Sequence, residues 1–179
     1  MHNSIDTKRI AVTALFCAAS LALSFVQIPI FPAAPWLMYD PSGIVCLIAG
    51  LLFGPKLGAT VAIVSWLPRV FVDPFGAPMG MLSSCALLIP AALVYAGSGR
   101  TQKAGVAGMV AGAAVSVVLS CAFNLVITPL YTAISMAEVA GMIVPILLPF
   151  NAMKMLVNVV AGSLLLGPCK AAMAQILGE

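Results

Sequence analysis

Ala104 to Ile127 runs without a single charged side chain, and comparable apolar stretches recur along most of the chain, separated by short Gly- and Pro-containing breaks. About 20 apolar residues suffice for a helix to cross the hydrocarbon layer of a bilayer. Inside that layer every backbone N–H and C=O must find its partner within the protein, which favours helices. The sequence therefore predicts an all-α integral membrane protein. Composition agrees: 63% of residues are hydrophobic and 7% charged, with a mean hydropathy of +1.16, whereas a soluble domain carries roughly 25% charge.

The stretches predict a single membrane domain over residues 1–179, a six-transmembrane-helix bundle with helices near 10–27, 42–54, 57–72, 78–97, 104–127 and 149–170. Pro29 and Pro32 are expected to end the first span and Pro129 the fifth. Asp40 and Pro41 suit the N-cap and first helical position of the second. Residues 130–148, with Tyr131, Glu138 and Pro145, read as an irregular or half-inserted connector. The Lys8-Arg9 pair before Ile10–Val26 also suits a signal peptide, but that apolar run exceeds the usual signal core and no clean cleavage site follows, so it counts as the first span.

Spans two, four and six close alike, on Gly54-Pro55-Lys56, Gly97-Ser98-Gly99-Arg100 and Gly167-Pro168-Cys169-Lys170. Even-numbered spans of an up-and-down bundle end on one side, so the recurrence supports six crossings. With both termini cytoplasmic, Lys8, Arg9, Lys56, Arg100, Lys103 and Lys170 lie inside and only Arg69 and Lys154 outside, as the positive-inside rule expects. The same topology gathers Arg69, Asp73, Asn124, Tyr131, Asn151 and Lys154 at the outer end.

Two segments carry further expectations. Ala14, Ala18 and Ala22 form a flat stripe of small residues on span one, suited to internal packing or to docking a separate membrane subunit. Residues 28–39 are rich in Pro and aromatics and too apolar for a solvated loop. They predict an extracellular lid between helices 1 and 2 with Trp36 and Tyr39 at the interface, or simply a headgroup-level aromatic belt.

Catalysis finds little support. There is no phosphate-binding Gly loop and no His-Glu-x-x-His, and the one histidine is His2 in the N-terminal tail. Cys17, Cys46, Cys85, Cys121 and Cys169 sit singly in apolar runs and read as small buried hydrophobes, not a metal or disulfide set. The scattered cations lack the footprint of nucleic-acid binding. A solute-binding reading fares better. Asn151 and Lys154 fall three apart on one helix face, and an ionisable group at membrane depth is a functional-site candidate. With Asn124 they offer donors and acceptors for a flat ligand edge, and Trp36 and Tyr39 can cover its apolar face. Equally, Asn124 can bridge helices and Lys154 can reach for the interface.

These residues carry a resemblance. Residues 26–32 (VQIPIFP), 38–44 (MYDPSGI), 48–55 (IAGLLFGP), Pro129-Leu130-Tyr131 and 148–154 (LPFNAMK) are similar, in order and across almost the whole chain, to the substrate-binding S components of energy-coupling factor vitamin importers, above all the riboflavin-specific members. The resemblance implies capture of a vitamin from outside by a six-helix subunit that is not an enzyme. Energy would come from partners, a membrane coupling subunit and two cytoplasmic ATPases, in a cell-membrane assembly. It implies that riboflavin is a transported ligand and no cofactor is bound. Asn124, Asn151 and Lys154 would bond the isoalloxazine ring, Gln27 would reach the ribityl chain, and Ala14, Ala18 and Ala22 would dock on the coupling subunit. Arg69 and the Val72-Asp73-Pro74-Phe75-Gly76 connector depart from the riboflavin pattern. They keep open another vitamin, for instance cobalamin, selected by Arg69 and the lid; a non-transport membrane assembly protein is the remaining alternative.

Overall fold

The apolar stretches fold as helices, with breaks where Gly or Pro interrupts them. The computed structural model describes residues 7–29, 32 and 34–178. The chain order is α1 (Thr7–Ser24), β1 (Ile28–Pro29), β2 (Met38–Tyr39), α2 (Ser42–Phe53), α3 (Pro55–Trp66), a 3-10 turn (Leu67–Phe71), α4 (Gly76–Gly97), α5 (Gln102–Tyr131), α6 (Met136–Met142), a π-helical stretch (Ile143–Leu147) and α7 (Leu148–Leu177). Four helical segments are long and apolar enough to cross a membrane: α1, α4, α5 and the merged run from Met136 to Leu177. Leu15, Leu93, Val118, Leu156 and Leu164, each more than half exposed, project from their outer faces. An apolar exterior on apolar helices is the surface of a multi-pass membrane protein.

α1 to α5 and α7 alternate in direction. One cleft is lined by the chain just before α2 and α7's first turns, the C-terminal ends of α3 and α5, and the start of α4. A second is lined by the opposite ends, at Arg9, Phe53, Leu57, Tyr95 and Lys170. α2 and α3 are the short members, 12 residues each, or about 18 Å at the helical rise. They meet at Gly54, whose φ of +94° is a backbone state that side chains resist and that turns the chain sharply.

The bundle closes through small residues and buried hydroxyls. A methyl added at Gly112 would overlap the Leu87 carbonyl, and one at Gly108 would lie 2.5 Å from the Ala91 carbonyl oxygen. α4 and α5 therefore approach backbone to backbone. Across that seam Ser116 Oγ donates to the Ser83 carbonyl at 2.9 Å. α1 is tied to α3 by Ser20 Oγ donating to Ser65 Oγ at 3.0 Å. Leu47, Leu51, Leu87, Tyr95, Met109, Met155 and Leu166 form the main core between α2, α4, α5 and α7.

Several boundaries correct the sequence reading. Among the described residues the first span is helical over Thr7–Ser24, leaving Gln27 in the connector. α5 continues through Pro129 to Tyr131. A proline so near the end removes a single helical bond, and Thr128 Oγ1 donating to Asn124 Oδ1 at 3.0 Å and Thr132 Oγ1 to the Thr128 carbonyl at 2.7 Å reinforce that turn. α7 likewise passes Pro168 and stops at Gly178, in the left-handed conformation at φ +76°. Residues 136–147 are helical: Ser135 and Glu138 form a reciprocal capping box, and the π-helical turn feeds directly into α7. The connector after α1 pairs antiparallel, Ile28 with Tyr39 and Pro29 with Met38. Ala34 and Leu37 are buried from it against Cys121, Val139, Leu147 and Phe150. Ile30, Phe31 and Ala33 of the expected lid, and His2, lie outside the described residues.

Candidate functional site

α7 opens with Pro149 in its first turn, where the missing N–H costs no helical bond. Asn151 and Lys154 follow on one face. Asn151 Nδ2 donates to the Leu147 carbonyl at 2.8 Å and lies 3.9 Å from Cys121 Sγ on α5. Asn124 Nδ2 donates to the Ser120 carbonyl at 2.8 Å. Both asparagines are buried; Asn124 keeps a second N–H beyond its bond, while Asn151 directs its second at the Cys121 sulfur.

Lys154 Nζ reaches Asp40 Oδ2 at 3.0 Å, with the two side chains 11% and 6% exposed. The other Asp40 oxygen accepts from the Ser42 N–H at 3.2 Å and from the Ser42 hydroxyl. Asp40 therefore stands one place before the cap position, which Pro41 holds. It caps α2 with one oxygen and binds α7 with the other.

The walls are aromatic. Trp36 from the connector and Trp66 from the end of α3 line the cleft with Phe150, Met79 and Tyr131. Trp66 lies flat over Gly80, where an added methyl would be 2.5 Å from its ring. Phe75 stacks on Tyr131 with centroids 5.3 Å apart. The indole N–H groups of Trp36 and Trp66 and the Ser120 hydroxyl are buried without a hydrogen-bond partner among the described residues. Leaving such a group unpaired costs about 1–3 kcal/mol, and all three belong to residues of the cleft wall. The cleft encloses about 760 Å³ of empty space, solvent at its mouth included.

The charges at this end are largely paired. Arg69 is buried, donates to the Ser24 carbonyl, lies 3.8 Å from Asp73, and sits over the rings of Phe25 and Trp66 at 5.0 and 5.3 Å. Arg69 is absent from the cleft lining, however, and clamps α1 to α3 behind Trp66. With Lys154 and Arg69 each facing a carboxylate, the cleft suits an uncharged polar solute with a flat apolar face.

Of the sequence-derived candidates, Gln27, Trp36, Asn124, Asn151 and Lys154 line this cleft, Gln27 from an exposed position. Tyr39 does not. It is 8% exposed, not at an interface, and its hydroxyl donates to Asn158 Oδ1 at 3.4 Å. Burial, and then the adjacent Asp40, push its phenol above the ordinary range, which keeps that proton in place. Ala14, Ala18 and Ala22 are all exposed, so the internal-packing reading of the stripe does not hold. Trp66, Ser120, Met79 and Phe150 were not anticipated. Trp66 and Ser120 had a signal in their level, near the ends of α3 and α5 that also carry Asn124. Asp40 had one too, since a carboxylate in apolar surroundings needs a cation.

A family model described as the substrate-specific component of ECF transporters matches residues 8–166. The riboflavin transporter RibU of Staphylococcus aureus (strain TCH60) is 30% identical over 161 residues, 85% of each chain. The riboflavin transporter FmnP of Bacillus subtilis (strain 168) is 24% identical over 174 residues, 90% of this chain and 91% of its own. A solved structure of the S component of a bacterial ECF transporter superposes with a TM-score of 0.76 at 26% identity, covering 97% of this chain and 99% of that one.

Proposed function

The chain belongs to the substrate-specific components of ECF transporters, and from that premise we propose that it captures riboflavin outside the cell for import. The observation that carries this reading is the cleft itself. Asn124, Asn151 and Lys154 line it together with Trp36 and Trp66, a set of hydrogen-bonding and flat apolar groups that suits a flat ring with carbonyls and ring nitrogens. Gln27 at the mouth suits a hydroxylated chain leaving the ring. The charge pairing supports a neutral ligand.

In this reading all six alternating helices cross the membrane and both termini are cytoplasmic, placing six cations inside and Arg69 and Lys154 outside. The paired connector acts as the lid. The exposed alanine stripe of α1 docks on the membrane coupling subunit, and two cytoplasmic ATPases supply the energy.

The test is the visible absorbance and fluorescence of the detergent-purified chain after riboflavin is added and the excess removed. A retained flavin spectrum near one-to-one, with fluorescence quenched by the indoles, is the expected result. A chain that stays colourless overturns the riboflavin assignment and directs the search to other vitamins.

A further inference from the structure

At the end of the bundle opposite the riboflavin cleft, α7 outruns its neighbours. α2 and α3 turn at Gly54, while α7 continues past Pro168 to Leu177, so Met173, Ala174 and Leu177 overhang the α2–α3 corner. The mismatch leaves a second cleft of about 1070 Å³, solvent at its mouth included. Its floor is apolar, built by Leu51, Leu52 and Leu57 with buried Tyr95. Its rim is basic: Arg9 from α1, Arg100 from the turn after α4, and Lys170 from α7. Lys170 Nζ donates to the Arg100 carbonyl at 3.3 Å, which holds the rim together across two elements. No described Asp or Glu lines the cleft.

We propose that this cleft binds the headgroup of an anionic phospholipid, with the phosphate at the Arg100–Lys170 rim and the start of an acyl chain against Leu52, Leu57 and Met173. Basic pockets between membrane helices suit such headgroups. The pairing of a cationic rim with an apolar floor selects an amphiphile over a soluble anion, which would use the rim alone. The site is separate from the riboflavin cleft and does not depend on which vitamin is carried.

The experiment is native mass spectrometry of the full chain in neutral detergent with dioleoyl phosphatidylglycerol or dioleoyl phosphatidylcholine. The expected result is selective retention of phosphatidylglycerol. Each cation near a membrane surface contributes roughly fivefold, so Arg100→Gln/Lys170→Gln weakens that retention roughly thirtyfold. Lys56→Gln/Lys103→Gln removes the same charge from the same end outside the cleft and leaves retention unchanged. Ala174→Phe narrows the apolar wall with all charges kept and lowers retention too; circular dichroism checks that each variant is folded. Equal retention of the two lipids, or equal losses in the two double variants, overturns the proposal. So does displacement of phosphatidylglycerol by millimolar inorganic phosphate, which would make the site one for a soluble anion, or by a peptide of acidic residues, which would make it a protein contact.

Discussion

Replacing Lys154 by Met removes one partner of an ion pair whose members are 11% and 6% exposed while keeping most of the side chain's volume. Breaking a buried pair from one side costs about 3–5 kcal/mol, because the other charge is left in low dielectric. Asp40 keeps its two contacts to Ser42, so the expected cost is at the lower end, about 3 kcal/mol. At roughly 2–4 °C per kcal/mol for a chain of this size, the melting temperature in detergent should fall by about 6–12 °C. Asp40→Asn should cost less, because Lys154 can turn its ammonium toward the cleft mouth. Asp40→Asn/Lys154→Met leaves no unpaired charge and should recover most of the loss, giving a coupling of at least about 1.5 kcal/mol in a double-mutant cycle. Riboflavin affinity separates the two roles of Lys154. A lost hydrogen bond from a charged donor is worth about 1.5–3 kcal/mol, so binding weakens roughly ten- to a hundredfold in Lys154→Met. In the double variant stability returns and binding does not. A loss below about 1 kcal/mol in the single variant, or strict additivity, would refute the buried-pair account. Recovered affinity in the double variant would show that Lys154 acts only through the fold.

Asn124→Ala and Asn151→Ala each remove neutral hydrogen bonds worth about 0.5–1.5 kcal/mol, and should weaken riboflavin binding up to roughly tenfold by fluorescence titration. Ala18→Trp bulges from the exposed stripe of α1 and should abolish uptake in cells while leaving riboflavin binding by the purified chain intact; lost binding would place the stripe in the fold instead. Gly112→Leu forces a side chain into the Leu87 carbonyl and should prevent correct closure of α4 on α5, read as loss of the monodisperse peak in size-exclusion chromatography. Trp66→Leu empties the wall beneath a bound ring and should raise the fluorescence yield of any riboflavin that still binds, whereas an unchanged yield would remove Trp66 from the site.

Much of this protein was legible along the chain because the bilayer enforces a one-dimensional rule: long apolar stretches become helices, and rare polar residues must have a reason. That rule determined the helical membrane class, the alternation marked by the three matching Gly-to-cation endings, and the gathering of Asn124, Asn151 and Lys154 at one end. It misplaced the ends of α5, at Pro129, and of α7, near Lys170, because a proline near a helix terminus removes one bond without stopping the helix. Only the tertiary structure decided which polar groups face which. Asp40 and Lys154 are more than a hundred residues apart, and their pairing exists because α2 and α7 start at the same level. Tyr39 turned from the cleft to Asn158, Arg69 became a clamp behind Trp66, and Trp66 itself entered the wall because Gly80 leaves room for its ring. Sequence spacing sets the depth of a side chain in the membrane, but its direction depends on helix rotation and close approach, which are set by small-residue contacts between distant segments.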